Sequence, residues 1–375
     1  MRKILVFSAG RSDFGILKNL IKKINLSKEF NLTLVIGPAH NTNVFGSTNN
    51  EINELKIKSQ INLKFKKNNS NKFDILNSMS DIIKEISSKL KNKKYTAAIV
   101  LGDRYESLNF ALCCFNLRIP IIHIGGGSIT LGSLDDIYRK CISQMASLHL
   151  VENIHNKKNL KDIGLSKNIF ITGAPALENI AKKKNPKLIF GDKFDDYIYS
   201  KKKRILACFH PETNISKKTN LNYLKNFISF LNHTNQKILF TYPNADEGYM
   251  DYIKMIENRL NKNNSIIVKN LGIQKYHSML HCSDLIIGNS SSGIIESCSF
   301  KIACINLGNR QKKRLAPKNV IHSSFEINDM KRAYNKALSK KFNLKLNHIK
   351  NPYEVKNSTT KIFEIVKKSI NFQLI

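Results

Sequence analysis

A chain of 375 residues with 42% hydrophobic side chains is long enough for two domains with cores of ordinary size. Its 61 Lys+Arg against 28 Asp+Glu give +33. Such an excess, gathered into one stripe, would mark a nucleic-acid or membrane binder, but here the lysines are scattered, at Lys22-Lys23, Lys66-Lys67, Lys182 to Lys184 and Lys201 to Lys203. Neither a specific nucleic acid nor a membrane is therefore expected as a partner. The seven cysteines form no C-x-x-C pair and six of them sit in or beside apolar runs, which argues against a disulfide or zinc framework and for a reducing cytoplasm. At the N-terminus the apolar core Ile4 to Phe7 is too short for a secretory leader, and no stretch approaches the roughly 18 apolar residues of a membrane span.

Apolar runs of strand length alternate with amphipathic helical patterns. The expected strands are Ile4–Phe7, Leu32–Ile36, Ala97–Leu101, Ile119–Ile124, Leu148–Val151 and Ile169–Ile171, then Arg204–Phe209, Ile238–Tyr242, Ile266–Lys269, Leu285–Ile287 and Ala303–Ile305. Continuous Val/Ile/Leu strands separated by helices indicate parallel sheets covered on both faces, an α/β architecture of two Rossmann-like doubly wound domains with a central cleft. The boundaries expected are 1–181 for the first domain, a Lys/Asp-rich linker at 182–203 and 204–357 for the second. An amphipathic helix at 358–375 is expected to return towards the N-terminal domain. In such sheets ligands bind outside the carboxyl ends of the strands.

The turns after the strands carry the chemistry. After the first strand, Ser8 to Gly15 contains Arg11, suited to a phosphate, although a surface arginine would look the same. After the third comes Gly102-Asp103-Arg104-Tyr105-Glu106, readable as a structural ion pair or as a carboxylate held at a reacting centre. Strand Arg204–Phe209 runs into His210-Pro211-Glu212-Thr213. Strand Leu285–Ile287 runs into Gly288-Asn289-Ser290-Ser291-Ser292-Gly293, with Glu296 one helical turn after Gly293. Free N–H groups there suit an anion and Glu296 suits a ribose diol; a plain Ser-capped helix is the equal alternative. A last cluster of cations, Arg310, Lys312, Lys313 and Arg314, follows Ala303–Ile305.

In this order these residues resemble the hydrolysing UDP-N-acetylglucosamine 2-epimerases of sialic- and other nonulosonic-acid pathways. The resemblance runs nearly end to end. It includes Arg11 with Asp13-Phe14-Gly15, Pro38-Ala39-His40 with Phe45-Gly46 and Thr48, Gly102-Asp103-Arg104, His123, Gly126-Gly127, Asp135 and Arg139. It continues through Gly173, Phe209 to Thr213, Asn244-Ala245-Asp246, Gly288 to Glu296, Gly308, Arg310-Gln311-Lys312, Arg314 and Asn351-Pro352-Tyr353. It implies a GT-B-like fold, loss of UDP from UDP-N-acetylglucosamine and hydration of the resulting glycal to N-acetylmannosamine. It also implies no metal or other cofactor, and association into a dimer or tetramer.

By the same resemblance Asp103, Asp135, His210 and Arg139 match catalytic positions. Arg11, Arg104, Asn244, Ser290, Ser291, Ser292, Gly293, Glu296, Arg310 and Arg314 match the nucleotide side. The chain departs from the family pattern on one segment: Gly126-Gly127-Ser128 stands where Gly-Gly-Glu is usual, Arg139-Lys140 where Arg-His is usual, and Gln144 where a lysine is usual. A serine hydroxyl is no base at neutral pH without an activating partner, and a lysine stays protonated unless desolvated. Besides a working epimerase with a rearranged acid/base set, these departures leave open a GT-B-like glycosyltransferase and a catalytically weakened nucleotide-sugar binder.

Overall fold

The computed structural model describes residues 1–41, 49–64, 72–180, 190–243 and 248–371, so Phe45, Gly46, Thr48 and Asn244 to Asp246 lie outside the described residues. The chain forms two compact units. Unit 1 comprises Met1–Ser128, Leu134–Glu178 and Tyr353–Ile375; unit 2 comprises Ile129–Ser133 and Asn179–Pro352.

Unit 1 is built on a parallel sheet of seven strands, β1 (Arg2–Ser8), β2 (Phe30–Ile36), β3 (Ser59–Asn62), β4 (Ala97–Leu101), β5 (Ile121–Ile124), β6 (Leu148–Val151) and β7 (Ile169–Ile171), in the order β3-β2-β1-β4-β5-β6-β7. Unit 2 holds a parallel sheet of six strands, β8 (Arg204–Cys208), β9 (Lys237–Thr241), β10 (Ser265–Val268), β11 (Leu285–Gly288), β12 (Ala303–Leu307) and β13 (Val320–Ser323), in the order β10-β9-β8-β11-β12-β13. All eleven strands expected from the apolar runs are present. Two of the four edge strands, β3 and β13, lie outside the expected runs, because Ser-Gln-Ile-Asn and Val-Ile-His-Ser are short and half polar.

The period-two geometry of a strand explains why continuous apolar runs are needed. In β1, Ile4 and Val6 point into one core with Phe14, Leu17 and Ile21 of the helix Arg11–Leu26. Leu5 and Phe7 point into the opposite core, where Phe7 stacks on Phe110 with centroids 4.7 Å apart. Unit 2 repeats the pattern: Ile205 and Ala207 face one core and Leu206 the other. In both sheets the strand order reverses beside the first strand, between β1 and β4 and between β8 and β11. The crevice at such a reversal is where doubly wound sheets bind ligands.

Unit 1 is completed by the end of the chain. The helix Ser358–Asn371 buries Ile362, Phe363, Val366 and Ile370 in the core that contains Leu17, Leu20 and Ile24. Phe363 meets Phe30 edge-on, and Thr359 donates its backbone N–H to Glu178. Burial of four such side chains contributes on the order of 6–10 kcal/mol before entropy is counted.

Two histidines lie in register on adjacent strands of the same sheet, His123 on β5 and His149 on β6, at 0% and 2% exposure. Burial pushes both imidazoles down, each to about 4. They are neutral when folded and take up a proton on unfolding near the ordinary value of 6.5. Stability is therefore unaffected above pH 6.5, falls between pH 6.5 and 4, and levels off below, by on the order of 3 kcal/mol per histidine. Urea midpoints across that range test this: His149→Leu should remove about half of the acid-induced fall. An unchanged fall in a His123→Asn/His149→Leu double variant would place the titration elsewhere.

Candidate functional site

In unit 1, the ends of β1, β4 and β5 gather an ion network at the strand-order reversal. After β1 the chain turns at Gly10 into the helix Arg11–Leu26, and the Asp13 carboxylate reaches back to accept the Ala9 N–H at 3.2 Å. Burial raises Asp13 above the usual carboxylate range against the opposing pull of Arg104. Behind this turn His40 is fully buried, with Nε2 3.0 Å from Ser8 Oγ. Arg11 opens the helix and is half-buried.

After β4, Gly102 takes φ +78, the left-handed turn that favours glycine. Asp103 then forms an ion pair with Arg139 of the helix Asp135–Met145. Arg139 is 3% exposed and is held from two further sides: Nη1 donates to Ser128 O at 2.6 Å and lies 3.6 Å from Asp136. Lys140 pairs with the other oxygen of Asp136 at 2.8 Å, its own side chain 45% exposed. Asp135 is half-buried in the first turn of the same helix, where, after burial itself, it is the next cause raising the Tyr138 phenol.

Arg104 does not pair with its neighbour Asp103; its Nε donates to Glu106 at 3.3 Å. Glu106 is 1% exposed and also raises Asp13 and Tyr138. It is a buried carboxylate that the sequence motif contained but that no role singled out. The departures from the family pattern can now be located. Gly127, at φ +75, has no room for a Cβ, which would fall 2.1 Å from Asn156 O. Ser128 is buried and its hydroxyl has no hydrogen-bond partner among the described residues. Gln144 is spent on the Ile163 carbonyl at 3.0 Å.

In unit 2, the ends of β8 and β11 approach so closely that a Cβ on Gly288 would lie 1.8 Å from Cys208 O, and Gly288 adopts φ +145. That approach lets the Asn289 side chain clasp His210 from both sides: Oδ1 accepts the His210 N–H and Nδ2 donates to the His210 carbonyl, each at 2.7 Å. The His210 ring lies 3.3 Å from the Cys208 thiol through Nε2. Burial pushes that thiol up to about 11, so it stays protonated.

Next comes the serine turn. Ser290 caps the helix Ser291–Ile295, its hydroxyl accepting the Ser292 N–H at 3.4 Å. The helix is only five residues long, so its dipole is small and the charge needed to hold an anion must come from side chains. Gly293 is required because a Cβ would lie 2.8 Å from the Cys304 thiol. Arg310 supplies such a charge. It is 7% exposed, it reaches the Asn289 carbonyl at 3.4 Å, its Nε has no partner, and no carboxylate pairs with it among the described residues. Gln311 donates to the same carbonyl at 3.2 Å.

Arg314 Nη2 donates to Thr130 Oγ1 at 3.1 Å, and Asn214 N–H to the Gly132 carbonyl at 3.3 Å, so residues 129–133 belong structurally to this unit. Two residues that the sequence reading passed over brace the turn. Tyr276 and His277, neighbours on the helix Gly272–Cys282, bond Ser292 Oγ at 2.7 Å and Glu296 Oε2 at 3.0 Å. Among the described residues no three His, Cys, Asp or Glu side chains group as metal ligands, and no helix is long and apolar enough to cross a membrane.

The structure thus brings Asp103, Arg104, Asp135 and Arg139 together in unit 1, and His210, Ser290 to Gly293, Glu296 and Arg310 together in unit 2. A family model described as UDP-N-acetylglucosamine 2-epimerase matches residues 22–367. The chain belongs to the UDP-N-acetylglucosamine 2-epimerase family.

It is 36% identical over 351 residues to the GDP/UDP-N,N'-diacetylbacillosamine 2-epimerase (hydrolyzing) of Campylobacter jejuni, covering 91% of this chain and 88% of that relative. It is 30% identical to the polysialic acid biosynthesis protein P7 of Escherichia coli, over 99% of this chain and 95% of that protein. In fold it is similar to the S. aureus MnaA–UDP co-structure, at TM-score 0.79 and 16% identity over 100% of this chain and 98% of that one. It is also similar to the UDP-GlcNAc 2-epimerase of Neisseria meningitidis bound to UDP-GlcNAc, at TM-score 0.77 and 16% identity over 98% of this chain and 100% of that one. These similarities bear out the expectation of two parallel-sheet α/β domains of GT-B-like type.

Gly288→Ala should destabilise this epimerase-family chain by more than about 2 kcal/mol, because the methyl group overlaps Cys208 O and the backbone at φ +145 is strained for any L side chain. The urea midpoint of the variant measures the loss; a midpoint unchanged from the native chain would mean that the two strand ends separate at little cost.

Proposed function

We propose that this protein is a hydrolysing 2-epimerase that converts a nucleoside-diphosphate-linked N-acetylamino sugar into the nucleoside diphosphate and the free 2-epimeric sugar. The single observation that carries the reading is Arg310. A guanidinium 7% exposed without a carboxylate partner is costly unless an anion joins it, and a diphosphate beside the serine turn would supply that anion. Family membership supports the reaction type, and the Campylobacter jejuni relative, named for N,N'-diacetylbacillosamine carried on GDP or UDP, widens the substrate class to 2,4-diacetamido sugars.

A base removes the proton from C2 while the bond from C1 to the diphosphate oxygen breaks, leaving a C1=C2 double bond. Water then adds its hydroxyl to C1 and a proton returns to C2 from the opposite face. Asp103, Asp135 and His210 are the acid/base groups for these transfers. Arg139 binds Asp103 and fixes where its carboxylate stands. Arg11, Arg310, Arg314 and the hydroxyls of Ser290, Ser291 and Ser292 neutralise the charge that grows on the leaving diphosphate. Glu296 holds the ribose hydroxyls.

A second reading, a nucleotide-sugar binder without turnover, is favoured by one specific observation. The Asp103 carboxylate is already engaged in an ion pair with Arg139, and Ser128 brings no second carboxylate to take its place.

Incubation without acceptor, with UDP-N-acetylglucosamine, UDP-N,N'-diacetylbacillosamine and a GDP-linked counterpart, separates the two readings. Release of nucleoside diphosphate together with a 2-epimerised free sugar is the expected result; binding without release supports the second reading, and turnover only with an added acceptor would make the protein a transferase. Arg310→Met should weaken UDP binding by about thirtyfold or more, the worth of a charge-assisted contact of ~2 kcal/mol. Asp103→Asn should abolish turnover with UDP affinity changed by no more than about threefold, since a residue acting only in the chemical step leaves ground-state binding intact. Equal loss of UDP binding in both variants would overturn these roles.

A further inference from the structure

We infer that His277 is a positioning residue that sets the Glu296 carboxylate for recognition of a ribose diol; the inference rests on the nucleotide reading above and extends it to a residue that no motif pointed to. Glu296 follows the serine turn, and its backbone N–H closes the short helix onto Ser292 O at 2.8 Å. Its side chain is 15% exposed, so the carboxylate stands at the surface of the turn while one oxygen, Oε2, faces His277 Nε2 at 3.0 Å.

The imidazole itself cannot meet a ligand. It is 0% exposed and packs against the Phe300 ring at 5.3 Å between centroids and the Tyr276 ring at 6.4 Å. An ionised carboxylate only accepts hydrogen bonds, so Nε2 carries the hydrogen and donates it to Oε2. A glutamate on its own has three torsions to fix. Tied through one oxygen to a ring locked in the core, it presents the other oxygen in a single direction.

The helix Gly272–Cys282 acts on both ends of the turn at once. Tyr276 is half-buried and its hydroxyl bonds Ser292 Oγ at 2.7 Å, one residue before the His277 contact. Consecutive side chains of one rigid helix therefore set the serine hydroxyls and the carboxylate relative to each other. That is the geometry needed to hold a diphosphate and a vicinal diol of the same nucleotide. A carboxylate accepting from both hydroxyls of a diol discriminates against a sugar lacking one of them, because the unmatched acceptor is left desolvated.

Calorimetric titration of the full chain with UDP and with 2'-deoxy-UDP tests the assignment. The native chain should prefer UDP by about tenfold or more, as sites built around a ligand hydroxyl do. His277→Phe, which keeps a ring against Phe300 but has no donor, should bring that preference to within about twofold while 2'-deoxy-UDP binds as before. His277→Gln, whose amide donates from nearly the same place, should retain most of the preference. If His277→Phe does not fold, His277→Asn, too short to reach Oε2, should show the same collapse.

Equal weakening of both nucleotides in these variants, or a preference that survives them, would overturn the inference and leave His277 a core residue. A native chain that binds both nucleotides equally would also overturn it while leaving the diphosphate reading intact. A native chain that binds neither would overturn the nucleotide reading itself.

Discussion

The close approach of β8 and β11 is the constraint on which the cluster around Asn289 depends. Only glycine at 288 lets the backbone pass within reach of Cys208 O, and only that passage puts the Asn289 amide level with both the N–H and the carbonyl of His210. The Asn289 carbonyl, turned the other way, then receives Arg310 and Gln311. One residue, Asn289, thereby fixes the histidine through its side chain and a buried guanidinium through its main-chain carbonyl. Each of these groups would be mobile at the end of an isolated strand, and together they are held before any ligand arrives, which is the condition for electrostatic work at a site.

Unit 1 solves a different problem with similar means. Its reversal point carries five carboxylates near the strand ends, Asp13, Asp103, Glu106, Asp135 and Asp136, against the four cations Arg11, Arg104, Arg139 and Lys140. Arg139 is shared between Asp103, Asp136 and the Ser128 carbonyl, so the loop after β5 is tied to the helix Asp135–Met145 through one side chain. Desolvation raises Asp13 among these carboxyl groups.

Much of this was legible in the sequence. Continuous Val/Ile runs between amphipathic stretches located eleven strands, because strands buried on both faces are built mainly from apolar residues. The same logic explains the misses at β3 and β13, whose outer edges face no partner. Gly102, Gly288 and Gly293 were visible as turns; that Gly288 is dictated by Cys208 O, and Gly293 by the Cys304 thiol, depends on packing between segments tens of residues apart.

Long-range pairing also hid the partners of the site residues. Asp103 and Arg104 read as a pair because they are adjacent, yet consecutive side chains diverge, and each finds its partner elsewhere, in Arg139 and Glu106. Tyr276 and His277 sit mid-helix with no punctuation around them, and only their contacts with Ser292 and Glu296 distinguish them from ordinary core residues. The Lys140 ammonium, which the sequence placed in an imidazole's position, is occupied with Asp136.

The helix Ser358–Asn371 has a consequence for how the protein is made. Unit 1 closes its core with residues that follow the whole of unit 2 in the chain. As the polypeptide leaves the ribosome, the first 178 residues emerge with the stripe around Leu17, Leu20 and Ile24 uncovered, and at cellular elongation speeds its cover arrives roughly 10–35 s later. For that interval the nascent chain carries an open apolar face, a binding surface for holdase chaperones. A chain that ends between Glu178 and Tyr353 would hold a unit that never loses that face, and so a substrate for degradation.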